Sequence, residues 1–117
     1  MRIVRFIDGE GIERYGKPMG NGRALLLEGD IYQGTAENGA ELDIRKLLAP
    51  VAPKVIVGIG LNYHLHAEEA GMDIPKYPVV FMKNPASVAH PDDPIVLHPS
   101  CMNPPEVDYE AELAVVI

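Results

Sequence analysis

The segment Asp108-Tyr109-Glu110-Ala111-Glu112-Leu113 alternates acidic and apolar residues. On a strand, side chains repeat every two residues, so Asp108, Glu110 and Glu112 would share one face. Neighbouring carboxylates on that face stand ~7 Å apart, close enough for two to reach one hard cation of the Mg²⁺ or Mn²⁺ type. On a helix, residues 110 and 112 would point apart. The pattern alone admits two readings. One is a divalent-metal site that needs a further acidic ligand from elsewhere; the other is a solvent-facing strand bearing three acids.

A second group is His64-Leu65-His66-Ala67-Glu68-Glu69. On a helix, His66 and Glu69 share a face. A carboxylate beside an imidazole orients it and suits it to act as a general base on water. The same spacing equally describes a surface ion pair. His64 and His66 form a His-x-His pair, which binds transition metals from a strand, but the segment favours a helix, where the two diverge. A third candidate is Lys83, which closes the apolar run Val79-Val80-Phe81-Met82 and either reaches an anionic substrate or stands in solvent. Asn62 and Tyr63 follow an apolar strand, where side chains can face a pocket. Cys101 has no paired His or Asp in a recognisable arrangement and reads as inert. His90 and His98 sit among prolines in loops, with no role assigned.

These groups must be positioned by a chain of 117 residues that is 47% hydrophobic and 23% charged. That composition excludes a disordered tail, a collagen-like fibre and a coiled coil. No apolar run approaches the ~20 residues of a membrane-spanning helix, and the N-terminus lacks the pattern of a secretory signal. With one cysteine and no signal, a reducing cytoplasm is the expected compartment. The net charge of -7 is concentrated: Asp92, Asp93, Glu106, Asp108, Glu110 and Glu112 follow Lys83, and no Lys or Arg does. Nucleic acid, which needs clustered cations, is not an expected partner on that distribution.

Eight of the 11 glycines fall in the first 40 residues, and eight of the 11 prolines between 75 and 105. The split predicts a small β-rich N-terminal domain over 1–50 and a second region over 51–117. In the first, strands are expected at 2–7, 12–15, 24–28 and 31–32, with turns at 20–22 and 29–30. A short helix is expected from Asp43 to Leu48, stopped by Pro50. In the second, 54–60 reads as a strand buried on both faces and 62–71 as a short helix with a glycine stop. Further strands are expected at 79–83, 95–97 and 107–117. Gly58-Ile59-Gly60 begins like a dinucleotide fingerprint, but Tyr63 stands where the third glycine belongs. The run Leu113–Ile117 stops within an apolar strand, so a longer protein is expected.

In order along the chain, the motifs Ile56-Val57-Gly58-Ile59-Gly60-Leu61-Asn62-Tyr63 with His66-Ala67-Glu68-Glu69, Pro78–Ser87 with Asp93–Leu97, and Val107–Ile117 resemble those of the fumarylacetoacetate hydrolase family. The resemblance covers residues 51–117; residues 1–50 match only as the variable N-terminal domain of bacterial members. It implies an α+β, β-rich fold with a mixed β-sheet roll, of which only the first part is present. It also implies a Mg²⁺ or Mn²⁺ ion held by Glu110 and Glu112 and by an aspartate some thirty residues further on. His66 and Glu69 match the dyad that activates water, Lys83 the lysine near the substrate, and Asn62 and Tyr63 are expected to bind substrate.

The implied substrates are small-molecule 2-oxo acids such as acylpyruvates, and the implied role is in aromatic catabolism. A homodimer acting without membrane or nucleic acid is expected. Hydrolysis of a C–C bond is the first expectation. A 2-hydroxyhepta-2,4-diene-1,7-dioate type isomerase or an oxaloacetate-type decarboxylase is the alternative on the same scaffold. A non-catalytic binding module is the alternative of another class, should the chain end at 117.

Overall fold

The computed structural model describes residues 1–105 and 107–117; Glu106, counted above in the acidic block, lies outside them. The protein is β-rich, with one short α-helix among the described residues. Among the described residues no helix is long and apolar enough to cross a membrane.

Strands β1 (Val4–Ile7), β2 (Glu13–Pro18), β3 (Arg23–Asp30), β4 (Gly34–Asp43) and β5 (Lys46–Leu47) form an antiparallel sheet in the order β4-β3-β2-β1-β5. Its core is small: Phe6 and Ala24 are fully buried, and Leu27, Leu48 and Ala49 nearly so. The turn from β1 to β2 is built on buried Asp8. Its carboxylate accepts the backbone N–H groups of Glu10 and Ile12, both at 2.9 Å, and the Arg14 guanidinium at 3.1 Å. A buried carboxylate is tolerable because each of these donors favours its charged form.

Three expectations for this region fail. Gly29-Asp30, expected as a turn, instead closes β3, pairing with Thr35 and Gly34. Ile31-Tyr32 is not a strand but lies in the turn after β3. The Asp30 carboxylate accepts the N–H of Tyr32 at 2.7 Å and of Gln33 at 3.1 Å, which holds the chain in a tight Asx turn. The returning strand is β4, whose pairing with β3 shifts register between Leu25 and Leu27. Asp43–Leu48 is not a helix either. Asp43 ends β4, and β5 pairs with β1 through Phe6↔Leu47 and Ile7↔Lys46. Backbone N–H groups that a helix would use internally go to the sheet, Arg45 to Ile7 and Leu48 to Arg5, both at 2.9 Å. The open edge of β1 outweighs a local capping signal.

The second region starts with the antiparallel pair β6 (Ile56–Gly60) and β7 (Val79–Lys83). Gly58 lies opposite Phe81, and a Cβ at position 58 would overlap the Phe81 ring. The glycine therefore makes room for the aromatic. The strand over 54–60 is not buried on both faces as expected: Val57 is 57% exposed, and every residue of β7 is exposed. Ile95-Val96-Leu97 and 107–117 form no strand. Apolar patterning supplies side-chain faces but not ladder partners, and neither segment has one among the described residues.

Between β6 and β7 lies α1 (His64–Glu69), within the expected 62–71. Its end is a Schellman motif: Met72 N–H bonds Ala67 O at 2.9 Å, Gly71 N–H bonds Glu68 O at 3.1 Å, and Gly71 has φ +62°. Ala67 buries the inner face of the helix.

The two regions meet at a polar junction. Ala49 donates its N–H to His90 Nδ1 at 3.0 Å, and Lys46 Nζ lies 2.7 Å from Asp93. Arg5 pairs with Glu13 at 2.7 Å and also donates to Ala49 O at 3.2 Å. The radius of gyration is 18.3 Å. A compact domain of this length has about 13 Å. The excess reflects the sparsely packed chain after β6.

Candidate active site

The exit of β6 is where chemistry-bearing residues begin. Leu61 has φ +50°, a left-handed conformation that costs a non-glycine residue about 1–2 kcal/mol. Such strain reverses the chain sharply between the strand and Asn62-Tyr63. Tyr63 then takes an extended conformation (φ -115°, ψ 128°) and forms the N-cap of α1 without a side-chain cap. Its backbone carbonyl accepts the Ala67 N–H at 3.2 Å, which starts the helix and leaves the phenol free for another partner.

That partner is the acidic segment. The Leu113 N–H donates to Tyr63 Oη at 3.0 Å. His66 Nδ1 lies 3.7 Å from Glu110 Oε1, an ion-pair distance for a protonated ring and too long for a hydrogen bond. Both side chains are about half exposed, so the pair contributes little to stability. The structure thus unites Tyr63, His66 and Glu110, drawn from stretches of chain some fifty residues apart. Glu69 lies one turn from His66 on α1, on a shared face.

Other candidates lie apart from this group. Lys83 sits at the end of β7, opposite Ile56, with its ammonium 5.8 Å from the Phe81 ring centre. Asn62 opens instead onto a depression of about 270 Å³, shared with His64, Leu61, Lys76 and Tyr77. A larger depression of about 630 Å³ lies at Met1, Arg2 and Lys17–Gly20 on the first sheet and contains none of the candidates. Shape and chemistry disagree here. The approach of His66 to Glu110 is the better marker, because a base beside a carboxylate can do chemistry that the cations Arg2 and Lys17 of the larger depression do not offer by themselves.

Glu110 and Glu112 offer carboxylate oxygens, the donors a hard divalent cation prefers. Both are exposed, and among the described residues no three His, Cys, Asp or Glu side chains gather into one metal-holding group. The donor chemistry fits a Mg²⁺-type ion, and the set is partial. Two relationships escaped sequence reasoning. The main-chain N–H of Leu113 carries no side-chain signal at all. The His90 bond to Ala49 joins two loops whose proximity no local pattern encodes.

Comparison with known proteins bears on this site. Residues 55–117 match the family model described as fumarylacetoacetate (FAA) hydrolase C-terminal. The chain is 37% identical over 116 residues to a caffeoylpyruvate hydrolase of Neonothopanus nambi, covering 94% of this chain and 37% of that one. It is 45% identical over 71 residues to a human mitochondrial oxaloacetate tautomerase, covering 60% and 22%. A solved structure of a Mycobacterium abscessus protein superposes with a TM-score of 0.56 at 28% identity, over 74% of this chain and 34% of that one. The chain therefore spans less than half the length of these relatives. The matched segment begins just before β6 and contains Tyr63, His66, Glu69, Lys83, Glu110 and Glu112. Its ordered motifs and that match agree, and the chain belongs to the fumarylacetoacetate hydrolase family.

Proposed function

We propose that the protein is a metal-dependent hydrolase that cleaves a C–C bond in an acylpyruvate-type 2-oxo acid. The observation that carries this reading is the approach of His66 to Glu110 at 3.7 Å, which sets a candidate base beside a candidate metal ligand. Glu110 and Glu112 would hold a Mg²⁺ or Mn²⁺ ion. When bound, such an ion would supply positive charge that attracts an anionic 2-oxo acid and stabilises negative charge developing on its oxygens. His66 takes a proton from water, and Glu69 presents a second basic group from the same helix face. The water oxygen bonds to the distal acyl carbon. The adjacent C–C bond then breaks, its electron pair leaves on the pyruvyl side, and the proton is returned to that carbon. The products are a carboxylic acid and pyruvate. The name of the Neonothopanus relative, a caffeoylpyruvate hydrolase, supports this substrate class.

A second reading is tautomerisation of a 2-oxo acid, favoured by the 45% identity to the oxaloacetate tautomerase. It needs only proton removal and return. A panel of acylpyruvates and oxaloacetate, each with Mg²⁺, Mn²⁺ or EDTA, separates the two. Hydrolysis predicts stoichiometric pyruvate that EDTA abolishes. His66→Ala should eliminate cleavage while metal still binds; full activity in that variant overturns the assignment.

A further inference from the structure

We propose that Tyr63 is a positioning residue: its phenol oxygen tethers the main chain of the acidic segment and fixes where Glu110 and Glu112 stand relative to α1. The proposal deepens the metal-site reading above and rests on it only for its functional consequence.

Two contacts join the helix to the segment, Tyr63 to Leu113 at 3.0 Å and His66 to Glu110 at 3.7 Å. They advance by three residues on the helix side and retreat by three on the other. The two stretches therefore run antiparallel, with Glu112 lying between the contacts. One contact alone would let the segment pivot; two fix its direction as well as its place. The phenol contact is also the one that is a true hydrogen bond, and it grips backbone, so it constrains the chain itself rather than a flexible carboxylate.

A packing role does not account for Tyr63. Its side chain is 41% exposed, and the hydroxyl does not cap α1. Leu61, in the left-handed region, turns the chain two residues upstream of it. The hydroxyl oxygen spends a lone pair on Leu113 and keeps its own O–H as a donor. It thus adds a donor at the main chain that follows Glu112 without adding charge.

The test is Tyr63→Phe in the full-length protein, which keeps the ring and removes the acceptor. Hydrogen exchange at the Leu113 amide should accelerate. Mn²⁺ affinity, read from the free-ion EPR signal, should fall about fivefold, the loss expected for one neutral hydrogen bond. Leu113→Pro deletes the donor instead, and adding Tyr63→Phe to it should cost no further affinity. Unchanged Leu113 exchange in Tyr63→Phe overturns the tether, as does a full additional loss in the double variant. If the wild type takes up no Mn²⁺, the metal reading fails by itself, and Leu113 exchange still decides the tether.

Discussion

His90 accepts the backbone N–H of Ala49 on Nδ1 at 3.0 Å, an arrangement open only to a ring whose Nδ1 carries no proton. The contact pins the end of the first sheet to the turn that begins the last quarter of the chain. Ala49 is nearly buried, so its N–H has little access to water as a substitute. Removing the acceptor with His90→Ala should cost about 1–2 kcal/mol. Urea unfolding would show it as a lower midpoint with unchanged slope. A midpoint equal to that of the wild type would mean the bond contributes nothing.

Acid sensitivity should trace to three carboxyls. Backbone donation from Ile12 holds Asp8 below the usual range, helped by Arg14. The Arg5 guanidinium does the same for Glu13, and the Lys46 ammonium for Asp93. A carboxyl whose folded value is depressed binds fewer protons than the unfolded chain does. Its contribution is complete above the unfolded value, about 4, and is lost as pH falls through the folded one. Stability should therefore be flat near neutrality and decline below about pH 4. Asp8→Asn should lower stability at pH 7 and flatten the acid decline. Parallel pH profiles for variant and wild type would contradict the role given to Asp8.

Gly58→Ala should destabilise the β6–β7 pair, because the added methyl meets the Phe81 ring. Overpacking of this kind costs about 1–3 kcal/mol. Phe81→Leu in the same chain should recover part of the loss, since a smaller side chain yields the space. The measurement is a double-mutant cycle on thermal unfolding. Strict additivity would argue that the two residues do not touch.

Metal removal supplies another test. Dialysis against EDTA should abolish turnover of an acylpyruvate, and Mg²⁺ or Mn²⁺ should restore it. Glu112→Gln loses a charged donor and should raise the metal concentration needed for half-maximal activity by at least about tenfold, a shift of about 1.4 kcal/mol. Activity that survives exhaustive chelation would exclude the metal-dependent reading.

Much of the architecture was legible because local signals and tertiary demands coincide. The apolar runs at 4–7 and 79–83 became strands, and Gly71 ended the helix that carries His66 and Glu69. Where the two conflicted, the local signal lost. Asp43 reads as a cap, yet β1 needed a neighbour and took residues 46–47. The acidic alternation at 107–113 specifies which side chains would share a face, but a strand also needs a partner, and none stands beside it among the described residues. Within the site, His66 and Glu110 were both identifiable by type. That they meet depends on the left-handed turn at Leu61 and on a phenol reaching a main-chain amide, neither of which has a sequence signature.

The rims of the first sheet govern how the protein behaves at high concentration. One rim, β5, is two residues long; the other, β4, is broken in register and bears Glu37 and Glu41. A foreign strand finds no long, flat, uncharged line of N–H and C=O groups to zip onto at either side. The β6–β7 ribbon has no such guard, since Val57, Val80 and Met82 lie open along it. Self-association of this chain should therefore begin at the ribbon and spare the sheet, so charges placed at positions 57 or 80 should reduce it.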